Sequence, residues 1–149
     1  MTYVWDTNIL LQVLRSPDFY DMLNRQYDFT NPLNEVCISI VSVGEIHAIA
    51  LRNRWGAARL GFLSATLQTL KTMFIDDDPL LIQMYSEMDV FSQKKHPVFQ
   101  LSTTARKMGK NDLWIAATTA VTRGILLSTD ADFTHLNGVF INFDKIIVT

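Results

Sequence analysis

Short apolar runs that stop at a carboxylate alternate along this chain with segments of helical period, and that alternation leaves few folds open to it. Tyr3-Val4-Trp5 ends at Asp6, and Ile125-Leu126-Leu127-Ser128-Thr129 ends at Asp130. Val36 to Ile40 is rich in β-branched residues and reads as a buried strand, with Glu45 a few residues beyond it. Between these runs lie helical stretches. Ile9 to Leu14 follows the first strand, Phe19 to Tyr27 carries Phe19, Met22 and Leu23 on one face, and Val43, Ile46 and Ile49-Ala50 repeat at helical spacing. Such alternation predicts layered α/β architecture with a parallel sheet.

Finer signals set expected boundaries. Ser42 followed by Glu45 has the form of a capping box, which places Glu45 in the first turn of a helix. Leu60, Leu63, Leu67 and Leu70 suggest a helix from about 57 to 71, and Met73-Phe74-Ile75 a short strand. Asp78-Pro79 reads as an N-cap with proline at the first helical position. Residues 94 to 109 show no period and read as a long loop. Asn111-Asp112 opens a helix that runs to about Thr122 and stops at Gly124. Residues 139 to 148 hold one or two further short apolar runs. With 149 residues and no Pro/Gly/Ser-rich divider, the chain reads as one domain.

Composition excludes several classes. At 48% hydrophobic and 19% charged, the chain is neither disordered nor a coiled coil. Its single cysteine, Cys37, rules out an internal disulfide and a cysteine zinc cluster, and its apolar surroundings mark it as an inert core thiol. No stretch is apolar enough to span a membrane, and the N-terminus lacks the pattern of a signal peptide, so cytoplasm is the default location.

The carboxylates carry the functional signal. Strand C-termini and the following helix N-termini gather at one edge of a parallel sheet, where ligands bind. Asp6, Glu45, Asp112 and Asp130 all fall at such places, so four acids far apart in sequence can meet. Clustered carboxylates repel, and a divalent metal removes the penalty. All-oxygen ligation favours Mg²⁺ or Mn²⁺, and such a site suits hydrolysis of a phosphodiester. Each acid taken singly can also be read as a helix cap or a first-turn residue, and for Asp112, at a helix start, that is the simpler reading.

Four segments, Asp6-Thr7-Asn8-Ile9-Leu10, Ser42-Val43-Gly44-Glu45-Ile46, Lys110-Asn111-Asp112-Leu113-Trp114-Ile115-Ala116-Ala117 and Leu126-Leu127-Ser128-Thr129-Asp130-Ala131-Asp132-Phe133, resemble the motifs of PIN-domain ribonucleases, in the family's order. The likeness is to VapC-type toxins of bacterial type II toxin–antitoxin systems. It implies a PIN-like three-layer sandwich: a central, mainly parallel, twisted sheet flanked by helices. It implies metal ligation by Asp6, Asp112 and Asp130, with Glu45 completing a catalytic quartet. Asp132 can take or share the role of Asp130. Thr7 and Asn8 match residues that orient the first aspartate, and Thr129 one that positions water. The resemblance further implies RNA as substrate, Mg²⁺ or Mn²⁺ as cofactor, a small antitoxin as partner and a homodimer as the oligomer. A PIN nuclease of RNA processing without an antitoxin, and a catalytically silent PIN-like binding protein, are the alternatives.

A net charge of -2 argues against a broadly basic nucleic-acid binder. The argument weakens if the quartet faces metal, because the rest of the chain is then net basic. Arg106, Lys107 and Lys110 lead directly into Asp112 and are candidate RNA contacts, whereas Arg52, Arg54 and Arg59 around Trp55 read more simply as a solvated face. Asp76-Asp77-Asp78 reads as a capping turn rather than a phospho-acceptor site. His47, His96 and His135 show no nucleophile partner in sequence, which disfavours a Ser or Cys triad.

Overall fold

A computed structural model describes residues 1–149. Five parallel strands form one sheet in the order β3-β2-β1-β4-β5. The strands are β1 (Thr2–Trp5), β2 (Glu35–Ser39), β3 (Lys71–Met73), β4 (Ile125–Ser128) and β5 (Asn142–Lys145). Six α-helices connect and flank them: α1 (Thr7–Arg15), α2 (Pro17–Tyr27), α3 (Ile40–Arg52), α4 (Ala57–Gln68), α5 (Pro79–Ser92) and α6 (Lys110–Thr122). A 3₁₀ helix, Ala131–Leu136, follows β4.

Alternation along the central strands explains the layers. In β1, Tyr3 and Trp5 face a cluster with Ile9, Leu10 and Val13 of α1, Leu23 of α2, Ile46 of α3 and Leu63 of α4. Val4 points the other way, into a cluster with Met88 and Phe91 of α5, Ile115 of α6 and Leu126 of β4. Helices therefore cover both faces, as a parallel sheet requires. Cys37 lies fully buried in the second cluster, and burial pushes its thiol up to about 11, which keeps it inert. No helix is long and apolar enough to cross a membrane.

Strand order reverses between β1 and β4, so a crevice opens beyond their C-terminal ends. Asp6 follows β1 and Asp130 lies just past β4, one on each side of that crevice.

Several local expectations are corrected. Helix α3 begins at Ile40, capped by Ser39, whose Oγ accepts from the Val41 amide at 3.1 Å. The Ser42 capping box does not form. Ser42 is buried inside the helix with its hydroxyl unpartnered, and Glu45 lies in the second turn. The β-branched run misleads because its last residue, Ile40, already belongs to the helix. Strand β3 is Lys71–Met73 rather than 73–75, and α4 ends at Gln68. Of the leucine stripe, only Leu63 is buried, while Leu67 and Leu70 pack at the margin and Leu60 is exposed. Arg123, not Gly124, takes the left-handed C-cap of α6 at φ 55°. Gly124 is required for a different reason: a Cβ there would meet the Thr2 carbonyl oxygen at 2.9 Å. The Asp78-Pro79 start of α5 and the irregular segment before α6 are as the sequence predicts. Asp76 and Asp78 accept from the Asp78 and Leu80 amides, so that acidic run is a capping turn.

Candidate active site

Asp6 caps α1, with Oδ1 accepting from the Thr7 amide at 2.8 Å. Its backbone amide donates to the Leu127 carbonyl of β4 at 3.0 Å, which ties the end of β1 to its neighbour. Its other carboxylate oxygen accepts from Ser128 Oγ at 2.7 Å. Ser128 is fully buried at the end of β4, and the same hydroxyl accepts from the Asp130 amide at 3.0 Å. One side chain thus joins the first acid to the backbone of the last. Asn8 completes the brace: its side chain contacts Ser128 Oγ, and its Oδ1 accepts from the Thr129 amide at 3.1 Å.

Glu45 arrives from α3 and is held across the crevice by Thr7, whose Oγ1 donates to Oε1 at 2.8 Å. Asp112 stands in the first turn of α6, where the helix N-terminus favours negative charge. Asp6, Thr7, Asn8, Leu11, Glu45, Ile49, Asp112 and Asp130 line one cleft of about 220 Å³. All four acids of the predicted quartet are therefore brought together. Asp132 lies outside this cleft. It faces a neighbouring one of about 360 Å³ with Arg106, Lys107 and Asp112, and makes a loose ion pair with Arg106 at 3.8 Å. Asp112 is the shared wall between the two. Of the predicted supporting groups, Thr7 and Asn8 touch the acids and their brace directly, whereas Thr129 contributes its backbone amide. Lys110, the first residue of α6, lines neither cleft.

Electrostatics follow from this crowding. Burial raises the Asp6 carboxyl above its usual range, opposed by the Ser128 and Thr7 hydrogen bonds and reinforced by Glu45 and Asp130. Burial, followed by the fields of Asp6, Glu45, Asp130 and Asp132, pushes Asp112 up to about 6. None of the four quartet acids pairs with a base. Uncompensated carboxylates around a cleft form a hard oxygen donor set, which fits a divalent cation of the Mg²⁺ type. No three of these carboxylates are close enough to form a metal cage as they stand, so a cation would have to draw them together.

Ser128 is the cleft-bracing residue that sequence reasoning misses. Its signal is present: a hydroxyl at the end of an otherwise aliphatic strand, two residues short of an acid, needs a buried partner. His135 also departs from expectation. Its Nε2 lies 2.7 Å from Ser92 Oγ, so a histidine–serine pair does exist. It is no triad, because the Ser92 hydroxyl is buried and bonded to the Met88 carbonyl, and His135 Nδ1 has no partner.

The PIN domain family profile matches residues 3–139. The chain belongs to the PIN domain family. No curated protein is similar enough in sequence to match. Among solved structures, this PIN domain is similar to a chain in the crystal structure of VapBC2 from Rickettsia felis bound to a DNA fragment from their promoter. The TM-score is 0.74 at 17% identity, covering 99% of this chain and 100% of that one. A chain of VapBC-1 from nontypeable Haemophilus influenzae gives TM-score 0.74 at 14% identity, covering 97% and 98%. VapBC-5 from Mycobacterium tuberculosis, a member of a toxin–antitoxin family, gives 0.61 at 20%, again covering 97% and 98%. At these identities the likeness establishes the fold: this PIN domain has the three-layer architecture that its motifs imply.

Proposed function

We propose that this chain is a divalent-metal-dependent endoribonuclease, the toxin of a type II toxin–antitoxin pair. The carrying observation is the cleft in which Asp6, Glu45, Asp112 and Asp130 meet without a basic partner. Asp6, Asp112 and Asp130 are the residues to hold Mg²⁺ or Mn²⁺, and the position of Asp130 in the cleft favours it over Asp132. A cation bound there supplies Lewis acidity at a phosphodiester and a lowered pKa for water. Ser128 and the Thr7 amide fix Asp6, and Thr7 Oγ1 fixes Glu45. With one oxygen so held, Glu45 keeps the other to accept a proton from attacking water. Arg106 and Lys107, in the adjoining cleft, offer phosphate contacts beside Asp112, and Lys110 extends that basic edge.

A protein partner is supported by a second feature. Trp5, Val13, Tyr20, Phe62 and Ala65 line a largely apolar cleft of about 400 Å³ on the α2/α4 side, and Phe62 remains exposed. An antitoxin is the partner proposed, because the similar folds occur in VapBC assemblies. A homodimer and a cytoplasmic location complete this reading. A small upstream reading frame encoding a DNA-binding protein favours the toxin over an RNA-processing nuclease.

Cleavage of RNA with and without EDTA, alongside Asp6→Asn and Asp112→Asn, tests the proposal. The expected result is metal-dependent cleavage by the wild type and none by either folded variant. Full cleavage by both variants, or cleavage unaffected by EDTA, overturns it. Sequencing of RNA 5′ ends after brief induction, with Asp6→Asn as control, then identifies the target.

A further inference from the structure

Two parallel helices leave the carboxylate cleft side by side. Helices α1 and α3 both start at the C-terminal edge of the sheet, pack against each other and run the same way. Each lines the cleft first with a polar residue and then, one turn on, with an aliphatic one: Thr7 and Asn8 then Leu11 on α1, Glu45 then Ile49 on α3. Leu11 and Ile49 are half-buried, so each keeps a face to solvent. Near the same face, in the last turn of each helix, stands an arginine: Arg15 four residues after Leu11 on α1 and Arg52 three residues after Ile49 on α3.

The phase is informative. At about 100° per residue, Thr7, Asn8, Leu11 and Arg15 fall within about 100° of arc, and Glu45, Ile49 and Arg52 within about 60°. A helix C-terminus favours a base in its last turn. That preference does not select which face carries it, yet both arginines fall on the face that lines the cleft. Side chains on a helix lean toward its N-terminus, a tendency that favours the approach of long arginine side chains to the cleft end of each helix. Their Cα positions lie roughly 10–12 Å along the helices from Glu45 and Thr7, the reach of a few nucleotides. Arg15 and Arg52 are exposed, and neither makes an ion pair.

We propose that this groove is an RNA track: a single strand crosses the carboxylate cleft and continues between α1 and α3, its sugars over Leu11 and Ile49 and its phosphates held by Arg15 and Arg52. The inference rests on the endoribonuclease reading. A cleft of about 220 Å³ has room for one phosphodiester, and the track is proposed for a single strand. On the opposite side the strand meets Arg106 and Lys107 across Asp112. The acids, which repel RNA on their own, are thus bracketed by cations on both sides, and the reacting phosphate is centred by the grip on its neighbours. This arrangement explains how a chain of net charge -2 holds a polyanion.

The test is the double variant Arg15→Ala/Arg52→Ala in the full chain. Steady-state cleavage of a single-stranded RNA oligonucleotide is measured over a range of salt concentrations, with divalent affinity followed by calorimetry. The expected result is a KM raised at least ~10-fold with kcat retained. The salt dependence should become shallower by about 0.7 log units per log salt for each phosphate no longer held. Divalent affinity stays unchanged, and Arg15→Lys/Arg52→Lys recovers the salt dependence. An active wild type and a double variant with the same KM and salt dependence overturn the track alone. Those results together with weaker binding of an acidic antitoxin segment assign the groove to protein docking instead. A wild type that neither binds nor cleaves RNA overturns the endoribonuclease reading and the track with it.

Discussion

Ser128 Oγ donates to Asp6 Oδ2 at 2.7 Å, across the point where the strand order of the sheet reverses. Residues 122 positions apart are joined by one buried hydroxyl, which also receives the Asp130 amide. Ser128→Ala removes the donor and leaves the Asp6 carboxylate less solvated within the protein. A hydrogen bond to a charged group is worth about 1.5–3 kcal/mol. Urea denaturation should show a loss in that range, and divalent titration a weaker site. Wild-type stability in the variant would show that water replaces the hydroxyl without cost.

Thr7→Val keeps the shape of the side chain and removes the hydroxyl that holds Glu45. The Thr7 backbone cap of Asp6 survives, so the fold should lose little. Loss of a group that orients a ligand or base commonly costs ~10–100-fold in activity or metal affinity. Cleavage assays at saturating Mg²⁺ should show a fall of that size with an unaltered melting temperature. Undiminished cleavage would mean that Glu45 needs no orientation.

Asp112 gives the metal-free protein a pH dependence of known sign. Its carboxyl titrates near 6 when folded, against about 3.9 in an unfolded chain. Between these values the folded state holds more protons, so this group's contribution to stability is lost as pH rises through that window. In EDTA, Asp112→Asn should therefore melt higher than wild type at pH 7.5, with the margin narrowing as pH falls toward 4. Mg²⁺ should stabilise the wild type more at pH 7.5 than at pH 5. A variant less stable than wild type at both pH values contradicts the assignment of charge crowding.

His135 contributes the opposite trend. Burial, with Arg106 nearby, lowers its imidazole to about 4, against about 6.5 when unfolded. The unfolded state then binds the extra proton, so stability falls as pH drops from about 6.5 to about 4. His135→Gln keeps a group that can bond Ser92 and removes the titration. Its melting temperature should decline less over that range than the wild type's, and an identical decline would exclude His135 as a source of acid sensitivity. Ser92→Ala strips the partner from Nε2 while Nδ1 already lacks one, and should cost about 1–3 kcal/mol.

The acids are legible in the sequence because strand ends and helix starts are punctuated by local chemistry. Asp6 follows an apolar strand and caps a helix, and Asp112 stands in a first turn. Their meeting at one cleft follows from parallel topology, which the alternation of elements implies. Less legible is whatever depends on a partner distant in sequence. Ser128 looks like one more strand residue until Asp6 is placed beside it. Ser92 and His135 meet because α5 and the 3₁₀ helix pack together, and nothing in either segment signals it. Boundaries fail where one apolar run serves two elements, as at Ile40 and Val41, since propensity does not mark where a buried strand becomes a buried helix. The buried, unpartnered Ser42 hydroxyl is what a capping-box pattern cannot reveal there.

The order in which the chain supplies the cleft has a biosynthetic consequence. Asp6, Glu45 and Asp112 are made before Ser128 and Asp130, and β4 closes the crevice beside β1 only once they have followed. A nascent chain still missing its last few dozen residues can neither brace Asp6 nor complete the quartet. Under the proposed function, the growing polypeptide therefore cannot cleave RNA until β4 is in place.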